Sequence, residues 1–196
     1  MADKLTLDDI ADLRAYERER EDFRDRVIAL KKQRRVSVGP VVTLVFENRD
    51  TVRFQIQEMA RAERMLTDEA IRTELDVYNP LIPEAGQLVA TMFLELTNEE
   101  ELRTWLPKLV GLEASVELRL TDGSTVRCKP DPSHAAQLTR DEITASVHYV
   151  RFELDEAQVA AFATGPVVLA LAHPAYDFAT PLAEATRAEL LTDLQG

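Results

Sequence analysis

The segment Ala114 to Lys129 admits few folds. Ala114, Val116, Leu118 and Leu120 alternate with Ser115, Glu117, Arg119 and Thr121. Beyond Asp122-Gly123, Val126 and Cys128 alternate with Thr125, Arg127 and Lys129. Period-two patterning on both sides of a dipeptide suited to φ > 0 specifies a β-hairpin with one dry face and a type I′ turn. A dry face has to be covered, so the rest of the chain must supply the cover. Cys128 falls on that face, which marks it as an inert structural thiol.

Helical patterns flank the hairpin. Thr6 to about Arg35 reads as a long first helix, with Asp8 and Asp9 placed for the helix dipole and a basic end, Lys31-Lys32-Gln33-Arg34-Arg35. Val36 to Glu47 is a strand region interrupted at Gly39-Pro40, which suggests a bulge or edge entry. Thr51 to Pro83 contains two helices, the second capped by Thr67 and stopped at Asn79-Pro80. Leu88 to Leu96 is a strand apolar on both faces, which places it centrally. Asn98 and Glu101 have capping-box spacing, and so do Asp155 and Gln158. Ser146 to Leu154 and Val167 to Ala172 are strands, and Leu182 to Leu194 is a closing amphipathic helix. Pro130 to Ala145, with His134, is a polar loop with a helical turn.

This order predicts an α+β fold: a largely antiparallel or mixed sheet of about five to six strands with helices packed on it. It forms a single domain, with an N-terminal helix over 1–35, a core over 36–176 and a C-terminal helix over 177–196. One cysteine excludes an internal disulfide framework and suits a reducing cytoplasm. MADKLTLDDIADL has acids where a signal peptide needs bases, and no apolar run approaches membrane-spanning length. A cytoplasmic location follows as an expectation. The net charge of −12 is uneven: residues 1–35 hold ten Lys or Arg against nine Asp or Glu, and the rest holds thirteen against twenty-six. An acidic body disfavours duplex DNA, which needs a broad basic footprint.

The chain lacks GxGxxG, a Walker loop, HExxH, GxSxG and CxxC, so the enzyme classes that use them lose weight. Chemistry then rests on placement. Val52, Ile56, Met59, Glu63 and Leu66 recur at helical spacing, which puts the Glu63 carboxylate in an apolar row. His148 shares a strand face with Val150 and Phe152, and His173 with Leu169 and Leu171. By parity all three point into one core, where two imidazoles and a carboxylate would suit iron or another transition metal. Glu58 is a further ligand candidate. The alternatives are a core histidine bonded to backbone or carboxylate, or an acid–base pair. Arg34, Arg35, Arg61 and Arg64 form a second set, as solvated surface or as an anion site.

Five blocks, KKQRRVSVGP at 31–40, QIQEMARAER at 55–64, ELDVYNPLIP at 74–83, SVHYVRFEL at 146–154 and HPAY at 173–176, resemble the bacterial family catalogued as domain of unknown function 3501. The resemblance covers most of the chain. It implies a redox or oxidative-stress context, with a rubrerythrin-like or iron–sulfur protein as partner, and it carries over no catalytic residues. The leading expectation is a non-catalytic accessory or binding protein in that context. A metal-binding protein or enzyme using His148, His173 and Glu63, or a binder of small anions, stands beside it.

Overall fold

The computed structural model describes residues 3–130 and 144–196. His134 and most of the loop read between Pro130 and Ala145 lie outside the described residues.

The chain is α+β, with nine antiparallel strands in two sheets among the described residues. After a 3-10 turn at Leu7–Asp9 comes α1, Leu13–Gln33. It is followed by β1, Arg35–Val38, and β2, Val42–Phe46. Next come α2, Arg49–Glu63, α3, Asp68–Tyr78, a 3-10 turn at Asn79–Leu81, and β3, Gln87–Leu94. Then follow α4, Glu99–Trp105, a 3-10 turn at Leu112–Ala114, β4, Val116–Arg119, β5, Thr125–Arg127, and β6, Lys129–Pro130. The chain continues with β7, Val147–Glu153, α5, Glu156–Thr164, β8, Val168–His173, β9, Tyr176–Pro181, and α6, Glu184–Gln195. No helix among the described residues is long and apolar enough to cross a membrane.

The five-stranded sheet has the order β1-β2-β3-β7-β6 and the four-stranded sheet β5-β4-β8-β9. Two sheets thus form where the order of elements predicts one. The division arises at Cys128, where the chain leaves β5 in one sheet and enters β6 in the other, a corner of the kind that lets two sheets share a core. Leu44, Met92 and Phe152 of the first sheet and Leu118, Leu169 and Leu171 of the second fall in one hydrophobic cluster. The central position of β3, between β2 and β7, follows its two apolar faces.

Local signals set several boundaries. Asn48, Thr67, Asn98 and Asp155 each cap a helix through the side chain. Other elements differ from expectation. Thr6 opens only the 3-10 turn, bonding Asp9 from its backbone N–H (2.8 Å) and hydroxyl (3.0 Å). Asp12 caps α1 instead, accepting from the Ala15 N–H at 2.8 Å. Gly39-Pro40 is the turn of a β1–β2 hairpin, not a bulge, since Val38 pairs with Val42. The turn at Asp122-Gly123 has three residues between Leu120 and Ser124. Gly123 alone takes φ > 0 there, while Asp122 does not, so this is a type I turn closed by a G1 bulge, not type I′. Strand β9 takes up the start of the segment 177–196 assigned to the C-terminal helix, and α6 begins only at Glu184.

The outer face of the five-stranded sheet is covered by α2 and α3. Val52, Ile56, Leu75, Leu81 and Val89 form a second cluster there. Tyr16, Phe23 and Val27 of α1 form a third, with Phe54 of α2 packed edge-on to Phe23.

Candidate functional site

The α2–α3 layer does not seal the outer sheet face. A trough remains over β3 and β7, in two adjoining cavities that share Leu81 and Tyr149. One, about 300 Å³, lies over Val89 and Arg151, with Lys129, Pro130 and Glu153 at its side. The other, about 230 Å³, is floored by Thr91, Phe93, Val147 and Tyr149 and walled by Val52, Gln55, Tyr78 and Lys31, with Glu47 at its end. The strand register explains the floor. Thr91 pairs with Tyr149, Phe93 with Val147 and Val89 with Arg151, so these side chains share one face. The alternate residues, Leu88, Ala90, Met92, Val150 and Phe152, enter the core between the sheets.

Glu47 is the buried carboxylate of this face. It follows β2 directly, and its side chain accepts the Thr51 hydroxyl at 2.5 Å and the Thr91 hydroxyl at 2.6 Å. At the other end of the trough the Arg151 guanidinium donates to the Pro80 carbonyl at 3.1 Å, while its Nε is buried without a hydrogen-bond partner among the described residues. Lys129 pairs with Glu153 beside it.

The residues singled out from sequence do not assemble here. His148 lies on β7 in the five-stranded sheet and His173 ends β8 in the four-stranded sheet, so the same-sheet convergence expected of them is not formed. His148 is buried as expected, and its Nε2 lies 2.9 Å from the Ala145 carbonyl and 3.0 Å from the Thr144 hydroxyl. His173 Nδ1 accepts from the Ala175 N–H at 3.2 Å, so the proton belongs to Nε2, which donates to the Val110 carbonyl at 3.1 Å. Both imidazoles tie loops to strand ends.

Glu63 is exposed in the last turn of α2. The buried row of that helix is Val52, Ile56 and Ala60, with Gln57 beside it. The row therefore follows i,i+4 and leaves Glu63 and Leu66 outside. The helix ends at Arg64, which adopts the left-handed region with φ 53°, and the Met65 N–H closes on the Ala60 carbonyl at 2.9 Å. Glu58 is bonded by Arg20 through two nitrogens, at 2.8 and 2.9 Å, and by the Tyr16 hydroxyl at 2.7 Å. Among the described residues no three His, Cys, Asp or Glu side chains stand together as a metal site.

The four arginines are dispersed as well. Arg34 is fully buried. Its Nε donates to the Phe46 carbonyl at 2.8 Å and Nη2 to the Glu47 carbonyl at 3.0 Å. Nη1 reaches Glu189 at 2.9 Å, and Nη2 is ion-paired with Asp193. Burial pushes the Asp193 carboxyl up, and Arg34 pulls against it. Arg35 meets Glu95 at 3.3 Å on the surface, Arg61 pairs with Glu17, and Arg64 is exposed. Arg34, Arg35 and Arg61 tie elements together, and the four form no common anion site. Glu47, Thr91 and Tyr149 went unread as site residues; the signal available was a charged residue placed directly after the mostly apolar strand Val42–Phe46.

The chain matches the family described as protein of unknown function (DUF3501) over residues 4–194, and it belongs to that family. A crystal structure of a protein of unknown function from Burkholderia pseudomallei K96243 is similar to it. The two share 39% identity over 97% of this chain and 99% of that one, with a TM-score of 0.89. No curated protein matches.

Proposed function

We propose that this chain is a binding protein whose ligand lies in the trough between the α2–α3 layer and the outer face of the five-stranded sheet. The observation that carries the reading is the trough itself. Apolar and aromatic residues line it, and a few polar groups stand at set positions: Glu47 at one end, Arg151 at the other and Tyr149 between. Ligand sites are commonly concave and apolar with a small number of orienting polar groups. The test is fragment screening by NMR on the full chain. Binding should perturb Thr91, Phe93, Val147 and Tyr149 together; hits confined to other surfaces, or no hits, would remove the proposal.

The acidic character of the chain, −12 overall, favours a second, compatible role as an accessory to a protein partner. The redox or iron–sulfur identity of that partner is supported by the family resemblance alone. Crosslinking and co-purification from the native host test it. Recovery of a redox protein in stoichiometric amount is the expected result, and isolation of the chain alone after crosslinking is the adverse one.

A further inference from the structure

We infer that the Glu47 end of the trough receives small primary amines with an apolar, aromatic body, an inference that rests on the trough being a ligand site. Glu47 is only 8% exposed, yet it lines the smaller cavity. Each of its carboxylate oxygens accepts one hydrogen bond, and both donors are neutral hydroxyls, Thr51 at 2.5 Å and Thr91 at 2.6 Å. A carboxylate offers about four acceptor positions, so roughly two stay open.

Among the described residues no Lys, Arg or His is ion-paired with this carboxylate. Arg34 bonds the Glu47 carbonyl, but its guanidinium is committed to Glu189 and Asp193. Lys31 stands on the cavity wall with its Nζ 6.0 Å from the centre of the Phe54 ring. A buried charge without a counter-ion is costly, and the cavity beside Glu47 is where a counter-ion has room. An ammonium group brings one positive charge and three donors, which matches what the carboxylate lacks. Val52, Leu81, Phe93, Val147 and Tyr149 then select an apolar or aromatic body. The cavity of about 230 Å³ limits the ligand to on the order of ten non-hydrogen atoms.

Calorimetry on the full chain with 2-phenylethylamine, 2-phenylethanol and phenylacetate separates the contributions. The amine should bind at least about tenfold more tightly than the alcohol. Glu47→Gln should weaken amine binding roughly 30-fold or more and leave the alcohol nearly unchanged. The comparison of amine with alcohol on the unmodified chain stands even if Glu47→Gln fails to fold. Equal binding of amine and alcohol would overturn the amine assignment while keeping the trough as a ligand site. Tight phenylacetate binding that is lost in Lys31→Gln would overturn it in favour of an anion. Absence of binding by all three would overturn it as well, and NMR hits at Thr91 and Tyr149 from other fragments would then still support the trough.

Discussion

Arg34, at the C-terminal end of α1, and Asp193, in the last turn of α6, form an ion pair in which the arginine side chain is wholly excluded from solvent and the aspartate is 10% exposed. The same guanidinium holds the carbonyls of Phe46 and Glu47, so one side chain joins the first helix, the end of β2 and the last helix. Removing it strands two carboxylates and two carbonyls. Arg34→Met should therefore destabilise the protein by about 3–5 kcal/mol, the range for breaking one side of a buried pair. Urea denaturation at neutral pH measures it. A loss under about 1 kcal/mol would show that the helices are held together by apolar contacts alone.

Tyr176 joins the two sheets in a comparable way. Its hydroxyl donates to the Val38 carbonyl at 2.8 Å and accepts from the N–H groups of Val41 and Val42 at 3.0 and 3.2 Å. It thus closes the β1–β2 turn from β9. Tyr176→Phe leaves those groups unpaired and should cost about 1–3 kcal/mol. Gly39→Ala should be at least as damaging. Gly39 has φ +70°, and a Cβ there would stand 2.6 Å from both the Tyr176 hydroxyl and the Phe178 ring. Thermal unfolding of both variants tests this; an unchanged Gly39→Ala would mean the β1–β2 turn has room that these distances deny.

These two relationships also mark the limit of what the sequence discloses. Helix caps at Asn48, Thr67, Asn98 and Asp155 are local, and each is legible within a few residues. The alternation of β4, β5 and β7 is legible for the same reason, as is the central place of β3. Arg34 is not, because its partners lie 155 and 159 residues away and nothing near it announces burial. Strand β9 is an edge strand whose only buried residue is Tyr176, so it carries no alternation to read. The α2 stripe misled for a different reason. Rows at i+3 and i+4 both fit the apolar residues, and packing chose Ala60 over Met59, which turned Glu63 to solvent. The trough needs α2, α3, β3 and β7 together, so Glu47 becomes meaningful only once the fold is known.

Cys128 should be chemically silent in the folded protein. Its thiol is buried, donates to the Glu113 carbonyl at 3.0 Å, and is pushed up to about 12 by burial. Thiolate is the reactive form, so alkylation by iodoacetamide at pH 8 should be negligible in native protein and complete in urea. Intact-mass spectrometry reads the difference. Rapid native labelling would mean that the corner between β5 and β6 opens readily.

Glu58 should contribute to the acid sensitivity of the fold. The Arg20 guanidinium, and after it the Tyr16 hydroxyl, hold its carboxyl below the ordinary value of 4.5, against the opposing effect of burial. A carboxyl lowered on folding stabilises the native state above its unfolded pKa, and that contribution disappears as the pH falls through the folded pKa. Both partners belong to α1 and Glu58 to α2, so what weakens in acid is the attachment of the first helix. Glu58→Gln should therefore lower stability at pH 7 and make it fall less between about pH 5 and pH 3 than in the unmodified chain. Urea midpoints across that range measure both effects. Parallel pH profiles for the two proteins, with equal slopes in acid, would show that Glu58 has the same proton affinity folded and unfolded.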